Sequence, residues 1–349
     1  KKILEDAGIG YVKLGKPTEE RHILVEKGDA TYQFGIDYLR DVWYSTSYLL
    51  DRKQSMNGCA KKRFENYKKQ PLEFVFDKSF TGKLSQFGLN PDRRTPTGIK
   101  AAIIREKGTN GEREMAYMLY LAGFDVKDVT MTDLVSGRET LEDINFIVFC
   151  GGFSNSDVLG SAKGWAGAFL FNPKAKAALD NFYARKDTLS LGVCNGCQLM
   201  IELNLINPDF TKKAKMLHND SHKFESKFVG VTVPMNRSVM FGSLSGSKLG
   251  IWVAHGEGKF SLPYHEDKYN VVLKYSYDEY PGNPNGSDYS VAGLASPDGR
   301  HLAMMPHLER SCFPWQNAYY PADRIKNDQI TPWMEAFVNA RKWIEMNKK

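Results

Sequence analysis

The sequence predicts an α/β fold with a doubly wound, mostly parallel sheet and a small N-terminal appendage. From residue 98 onward, short apolar segments alternate with helical segments, the apolar segments are nearly continuous, and glycine-containing turns follow two of them. Continuous apolar strands are typical of parallel sheets that helices cover on both faces. Because ligands bind such sheets at the carboxyl ends of the strands, the residues after each strand are the first candidates for a site.

The N-terminal part of the chain, up to about residue 97, shows no such alternation. One helix is expected at 38–50. The basic stretch at 52–69 is expected to be a solvated helix face or linker, with a contact to an acidic partner domain as the alternative. A polar, Pro- and Gly-rich segment at 90–98 indicates a boundary. The expected organisation is the remnant of a preceding region at 1–55, a linker at 56–97 and one domain at 98–349.

The elements of the main domain follow in order. Asn110 is expected to cap a helix, because its side chain can accept hydrogen bonds from the first turn, and Gly123 to end it, because glycine readily adopts the left-handed conformation. A turn at 297–299 predicts a hairpin. The predicted strands lie at 101–104, 126–131, 144–150 and 189–193, the helices at 112–122, 162–185 and 198–205, and the hairpin at 291–305.

Composition and charge narrow the class of protein. The 349 residues are 42% hydrophobic, as in ordinary globular proteins, and no stretch is long and apolar enough to span a membrane. A net charge of +6 does not require a nucleic-acid partner. Five irregularly spaced cysteines favour a reducing compartment over a disulfide framework. We expect a cytoplasmic enzyme with neither nucleic acid nor membrane as partner and, because the chain begins at Lys1, a piece of a longer protein.

The most informative motif is Gly192-x-Cys194-x-Gly196, at the end of the strand predicted at 189–193. This is the glycine–nucleophile–glycine pattern of a strand-to-helix elbow. The nucleophile of such an elbow lies on a tight, strained turn whose neighbours have no room for a Cβ. The helix N-terminus that follows favours a thiolate and offers free N–H groups to an oxyanion. Cys194 is therefore the candidate nucleophile.

Three other interpretations of Cys194 stay open at this point. It could be a buried structural thiol, since free cysteine is among the most buried residue types. With Cys197 it forms a C-x-x-C pair, which is typical of thiol–disulfide chemistry. With Cys197, His218 and His222 it could bind zinc, although the gap between the two pairs is long and a chain of this length needs no metal for stability.

A cysteine nucleophile needs a base and a group that orients the base. Two H-x-E pairs supply candidates, His307 with Glu309 and His255 with Glu257, because residues two apart in an extended chain point to the same side. His307 follows a predicted strand end and is favoured, since a rigid position keeps a base in register. The glycines around His255 indicate a mobile or ligand-contacting loop. The remaining histidines are expected at the surface: His22, His218, His222, His265 and His301.

These motifs resemble those of class I glutamine amidotransferases. More narrowly, the sequence is similar to the C-terminal glutaminase domain of the large, fused phosphoribosylformylglycinamidine synthases, and the segment 39–43 resembles the end of their synthetase region. The resemblance implies a flavodoxin-like α/β fold. One departure is visible, because the family usually has proline where this chain has Leu308. The stretches that carry the resemblance are 141–143, 150–154, 157–160, 192–198, 255–258, 283–287, 306–310 and 332–334.

The resemblance implies roles for the matching residues. Cys194 would attack the side-chain amide of glutamine, His307 would transfer protons, and Glu309 would orient the imidazole. Backbone N–H groups would stabilise the oxyanion. The residues expected to contact the oxyanion or the substrate are Gly152, Phe153, Asn195, Gln198, His255 and Glu257, and no metal ligand is expected.

The resemblance also implies the reaction. The chain would hydrolyse glutamine through a cysteine thioester and pass ammonia to a synthetase region of the same polypeptide, for ATP-dependent amination of formylglycinamide ribonucleotide in purine biosynthesis. No cofactor is expected in this chain, and ATP and Mg²⁺ would bind the synthetase region. The alternatives are a thiol–disulfide or regulatory thiol domain that uses Cys194 and Cys197, and a catalytically silent interaction domain.

Overall fold

The computed structural model describes residues 1–70 and 72–348. The chain divides into two compact units, Lys1–Lys53 and Gln54–Lys349. The first unit contains a hairpin of two antiparallel strands whose side chains are mostly exposed. The helix predicted at 38–50 is present in a longer form. The elements of this part are helix α1 (Lys2–Asp6), strands β1 (His22–Lys27) and β2 (Ala30–Gly35), and helix α2 (Ile36–Gln54).

The second unit carries the predicted alternation of strands and helices. Its helices are α3 (Cys59–Asn66), α4 (Glu112–Ala122), α5 (Met131–Ser136), α6 (Lys163–Phe171), α7 (Pro173–Ala184), α8 (Asn195–Glu202) and α9 (Trp333–Asn347). Its strands are β3 (Lys100–Arg105), β4 (Asp125–Thr130), β5 (Phe146–Phe149), β6 (Leu189–Val193), β7 (Lys215–Leu217), β8 (Glu225–Thr232), β9 (Lys248–His255), β10 (Lys259–Ser261), β11 (Asn270–Tyr275), β12 (Val291–Ala295) and β13 (His301–Met304).

Nine strands within the described part of the chain form one mixed sheet, in the spatial order β4-β3-β5-β6-β13-β12-β11-β8-β9. Neighbours from β4 to β13 pair in parallel, and neighbours from β13 to β9 pair antiparallel. The predicted α/β class is confirmed. Parallel neighbours need crossover connections, which the helices supply, whereas β12 and β13 are joined by the predicted short turn.

The centre of the sheet is completely covered. Every residue of β5 and β6 is buried, as expected for parallel strands with helices against them. Helix α4 packs on α9, and α7 packs on both α5 and α6. The Phe149 ring meets the Trp165 ring edge to face, with centroids 5.8 Å apart. The turns that follow β5, β6 and β13 therefore start from a rigid frame.

The cap of α4 and the extents of two other helices differ from the prediction. The helix predicted at 198–205 is α8, which begins at Asn195 and ends at Glu202. The residue before α4 is Gly111, which has no side-chain cap, and the Asn110 N–H instead donates to the carbonyl of Gly151 at 2.9 Å. The predicted helical stretch at 162–185 is two helices, because the Asn172 side chain caps α7 and proline stands at the first position of that helix. A proline is favourable there, since the first turn leaves its N–H without a partner in any case.

The expectation that His301 lies at the surface is wrong. Its side chain is buried, and Nδ1 lies 2.9 Å from the Ser190 hydroxyl, which in turn lies 2.8 Å from the Tyr183 hydroxyl. The strand that carries it, β13, lies between β6 and β12. A side chain at the start of a central strand is covered even though the local sequence is polar.

Candidate active site

The chain turns sharply at Cys194, between the end of β6 and the start of α8. Its backbone has φ 53° and ψ −106°, which is strained for a residue with a side chain. A Cβ at Gly192 would lie 2.5 Å from the carbonyl oxygen of Gly196, and one at Gly196 would overlap the carbonyl oxygen of Phe149. The elbow geometry that the glycine pattern predicts is present, and the close backbone approach explains both glycines.

His307 and Glu309 lie beside this elbow. Nδ1 of His307 is 2.6 Å from Oε1 of Glu309, and both side chains are almost completely buried. A Cβ at Gly151 would lie 2.8 Å from Cε1 of His307 and 3.4 Å from Cβ of Cys194, so that glycine separates the two side chains. The thiol donates to the carbonyl oxygen of Ala254 at 3.5 Å, and it lies close enough to the imidazole to raise the pKa of His307. Since Glu309 occupies Nδ1, Nε2 is the nitrogen that faces the thiol.

The sheet topology brings the two halves of this cluster together. Strand β13 pairs in parallel with β6, with Met304 opposite Val193, so the chain leaves both strands at the same edge. The Cys194 N–H donates to the Met304 carbonyl at 2.9 Å, and the His307 N–H donates to the Trp252 carbonyl at 2.9 Å. The cluster thus lies at the carboxyl ends of the parallel strands, where sites of such sheets are found.

The two candidate histidines have opposite electrostatic surroundings. Burial alone would lower the pKa of His307, but the Glu309 charge, the nearby Cys194 side chain and the hydrogen bond to Glu309 outweigh it and raise the pKa to about 10. His255 is also buried, and neither of its ring nitrogens has a hydrogen-bond partner among the described residues. Burial and the nearby His307 lower the pKa of His255 to about 3. At neutral pH His307 is charged and His255 is neutral.

Two backbone N–H groups near the thiol are unoccupied. The Phe153 N–H donates to the carbonyl of Gly108 at 2.8 Å, so it is already engaged. Gly152 and Thr109 form an isolated antiparallel β-bridge. In this bridge the N–H of Gly152 points away from the segment that contains Gly108 and Thr109. Within the described residues, neither Gly152 nor Asn195, the first residue of α8, donates its N–H to another group. These two N–H groups are available to an oxyanion, whereas the Phe153 N–H is not.

A cleft of about 250 Å³ opens above the thiol. Its carboxylates are Asp157 and Glu257, and Glu257 accepts a hydrogen bond from the Ser161 N–H at 3.4 Å instead of contacting His255. Burial, followed by the charge of Glu257, raises the pKa of Asp157. The cleft is lined by Gly152, Phe153, Asp157, Ser161, Cys194, Gln198, His218, His222, Lys223, Phe224, Ala254, His255, Gly256 and Glu257.

The side chains of Asn195 and Gln198 hold the walls of this cleft. The Asn195 amide oxygen accepts from the Ser154 N–H at 3.0 Å, and its Nδ2 donates to Oε1 of Gln198 at 2.9 Å. Nε2 of Gln198 donates to the carbonyl of Glu257 at 2.7 Å. The turn after β5, helix α8 and the loop after β9 are therefore joined by a chain of buried hydrogen bonds.

The thiol–disulfide and zinc interpretations of Cys194 find little support in this geometry. All five cysteines, each of which lies in the described part of the chain, are free thiols, and Cys197 has no exposed surface. Burial raises the pKa of the Cys197 thiol well above its ordinary value. His218 and His222 line the cleft, but across the described residues no group of three or more His, Cys, Asp or Glu side chains could hold a metal ion.

Residues 98–344 match the family model of the CobB/CobQ-like glutamine amidotransferase domain. The chain belongs to this glutamine amidotransferase family. The amidotransferase domain thus covers the elbow, the His307–Glu309 pair and every residue that lines the cleft.

Named relatives place the amidotransferase domain within longer proteins. A protein of Arabidopsis thaliana called "Probable phosphoribosylformylglycinamidine synthase, chloroplastic/mitochondrial" is 40% identical over 88% of this chain and 23% of its own length. The phosphoribosylformylglycinamidine synthase of Homo sapiens is 38% identical over 97% of this chain and 27% of its own length. The chain spans about a quarter of these relatives. A chain in the solved structure of PurLQS from Thermotoga maritima is 27% identical to this chain, with a TM-score of 0.53. The match covers 72% of this chain and 99% of the Thermotoga chain.

Several cleft residues of the amidotransferase domain carry no local signal in the sequence. Lys223 and Phe224 belong to no motif, and Ser161 follows a strained stretch in which Asn155, Ser156 and Asp157 have positive φ. They reach the cleft because the loops before β8 and α6 fold over the end of the sheet. Only the fold, or a known pattern of the whole family, identifies them.

Proposed function

We propose that this chain is the glutaminase part of a phosphoribosylformylglycinamidine synthase and that it hydrolyses glutamine through a thioester on Cys194. The observation that carries the proposal is the thiol on a strained elbow beside a buried, charged His307–Glu309 pair, in a chain of the amidotransferase family. A thiol with a base, and a group that orients the base, is the constellation that nucleophilic acyl transfer requires.

The proposed reaction uses these groups in order. In the reactive pair the proton of the Cys194 thiol is the one that the charged His307 carries. The sulfur attacks the side-chain amide carbon of glutamine, and the carbonyl oxygen becomes an oxyanion that the N–H groups of Gly152 and Asn195 stabilise. His307 gives its proton to the leaving nitrogen, the C–N bond breaks, and ammonia departs from a thioester. His307 then takes a proton from water as the water attacks the thioester, the C–S bond breaks, and glutamate is released, which restores the sulfur and the protonated imidazole of the reactive pair. Glu309 holds the imidazole in place and stabilises its charge.

The cleft offers complementary groups for the rest of the substrate. We assign the α-ammonium of glutamine to the side of the cleft where Asp157 and Glu257 lie, because opposite charges attract most strongly in a partly buried site. Phe153 and His255 line the same cleft, while Gln198 acts on the substrate through the wall that it holds. The charge of Asp157 and Glu257 thus favours a free amino acid over a ligand without an ammonium group.

We propose that the ammonia serves a synthetase region of the same polypeptide, which aminates formylglycinamide ribonucleotide with ATP and Mg²⁺ bound in that region. The names and lengths of the relatives support this, since the chain matches about a quarter of each. Residues 1–55 would then be the end of the synthetase region and 56–97 the linker. A cytoplasmic location is part of the same proposal. No helix of residues 1–70 and 72–348 has the length and apolar character to cross a membrane.

The test is release of glutamate from glutamine by this chain and by the full-length protein. Cys194→Ala should abolish release, because no other thiol reaches the two N–H groups. Cys197→Ala is the matched control and should keep most of the activity, because its side chain is buried behind the elbow. Equal loss in both variants, together with a disulfide between the two cysteines, would favour the thiol–disulfide alternative.

A further inference from the structure

We propose that Asn219 is a positioning residue of the substrate cleft, which fixes the loop 255–258 in the shape that glutamine requires. The inference rests on the proposed glutaminase function and adds a residue that no motif identifies. Asn219 has no exposed surface and lies outside the elbow and the His307–Glu309 pair. Its hydrogen bonds, rather than any contact with substrate, carry the argument.

Asn219 contacts three successive parts of the loop 255–258. Its Nδ2 donates to the carbonyl of His255 at 2.7 Å, its backbone N–H donates to the carbonyl of Gly256 at 2.9 Å, and its Oδ1 accepts from the N–H of Gly258 at 3.0 Å. Buried backbone groups are costly to leave without partners. The loop therefore has one conformation in which all three groups are satisfied by this residue.

The same residue also holds its own segment of the cleft. Nδ2 of Asn219 donates a second hydrogen bond to the carbonyl of Lys223 at 2.9 Å, and its backbone carbonyl accepts from the N–H of His222 at 2.9 Å. Both donors of the amide are thus used, together with its oxygen. His222 and Lys223 line the cleft, as do His255 and Gly256. One buried amide therefore ties two cleft-lining segments to each other.

The catalytic cluster is held by other contacts. Ala254, whose carbonyl approaches the thiol, lies in β9 opposite Ser226 of β8, and the His307 N–H is bound to the Trp252 carbonyl. Loss of the Asn219 side chain should therefore loosen the loop 255–258 and the position of Glu257 while the thiol and its base stay in place. Asn285 limits the damage, because its Nδ2 holds the Gly258 carbonyl separately at 2.6 Å.

This separation gives a readout that a general loss of stability would not produce. The rate at which iodoacetamide labels Cys194 depends on the reactivity of the thiol and not on binding in the cleft. The rate with a chloroketone analogue of glutamine depends on both, because this reagent must bind in the cleft before it reacts. Asn219→Ala should lower the labelling rate with the chloroketone by about tenfold, the equivalent of one buried hydrogen bond, and leave the iodoacetamide rate within about twofold. The KM for glutamine should rise by a similar factor, with a smaller change in kcat.

Two further variants keep the test decisive. Asn285→Ala leaves every bond of Asn219 intact but removes the bond to the Gly258 carbonyl, together with the bonds of Asn285 to Tyr275 and Ser287. It should lower the chloroketone rate less, in the same direction, which also covers the case that Asn219→Ala does not fold. Asn145→Ala is the matched control, because Asn145 is equally buried but precedes β5 at the opposite edge of the sheet, where it binds Asp187. It should change the stability without changing the ratio of the two rates.

The outcomes separate the two proposals. If the wild-type chain reacts no faster with the glutamine analogue than with an equally reactive chloroketone that lacks the amino-acid group, the glutaminase proposal fails. The other case is that the wild type reacts faster with the glutamine analogue than with the other chloroketone. If the Asn219 and Asn285 variants then show the same preference, or if their rates with the glutamine chloroketone and with iodoacetamide fall by the same factor, the assignment of Asn219 fails while the glutaminase proposal stands.

Discussion

Replacement of Glu309 by glutamine tests the proposed base most directly, because it keeps the shape of the side chain and removes its charge. Glu309 is buried, and its Oε1 lies 2.6 Å from Nδ1 of His307. Burial opposes the charged imidazole, and the carboxylate is the main group that overcomes this. Without that charge, the pKa of His307 should fall from about 10, since burial is then no longer outweighed.

The size of the effect follows from the lost interaction. A hydrogen bond to a charged group contributes about 1.5–3 kcal/mol, more than a neutral one. Each 1.36 kcal/mol is a factor of ten in rate, so kcat/KM for glutamate release should fall roughly 10- to 100-fold. The sign of the pH effect follows from the raised pKa: wild-type His307 keeps its proton as pH rises toward about 10, and the variant should lose it at lower pH. The alkaline limb of the kcat/KM profile should therefore move to lower pH.

A neighbouring glutamate supplies the control. Glu114 pairs with Arg310 at 3.5 Å but is half-exposed, and Glu114→Gln should leave both the rate and the pH profile unchanged. The reasoning is refuted if Glu309→Gln keeps kcat/KM within about twofold of wild type and shows the same alkaline limb. That result would mean that His307 needs no carboxylate to act, or that another residue is the base.

Three other predictions address the elbow, the buried histidines and the synthetase region. Gly196→Ala should lower the free energy of unfolding in urea by roughly 1–3 kcal/mol, because the new Cβ would overlap the Phe149 carbonyl. Gly167→Ala in α6 has room for the Cβ and should raise this free energy. Equal effects of the two substitutions would contradict the close approach of Gly196 to Phe149. Burial, followed by the charge of Arg300, lowers the pKa of His301 to about 4, so stability should fall as pH drops from 6.5 toward 4, and His301→Gln should flatten that slope in unfolding measured at several pH values. A glutamine chloroketone should label Cys194 faster in the full-length protein than in this chain, and equal rates would mark the domain as self-sufficient.

The local pattern of the chain was sufficient for the parallel half of the fold. Strand β6 and helix α4 begin and end at the predicted residues, because apolar runs and a glycine after the helix are strong local signals. The antiparallel half was predicted only at the hairpin of β12 and β13. Strands β8 and β9 pair with each other over their whole lengths, and no turn signal in the sequence specifies that register.

The sequence also restricted the candidate site to a few residues, and the fold shows which of them meet. The glycines beside Cys194 indicated an elbow, and the spacing of His307 and Glu309 allowed a pair. Whether that pair or His255 lies against the thiol could not be decided from spacing, because both pairs follow apolar runs. The parallel pairing of β13 with β6 decides it, by placing His307 at the same edge of the sheet as Cys194.

The sequence by itself determined the kind of chemistry, because the two patterns that indicate it are local. One pattern is a cysteine between two glycines, and the other is a histidine two residues before a glutamate. The tertiary structure alone decided the charge states and the shape of the cleft. Burial and neighbouring charges from distant segments separate the pKa values of His307 and His255, and Asn219 fixes a loop far from it in the chain. Such effects depend on which segments meet in space, and no local pattern carries that information.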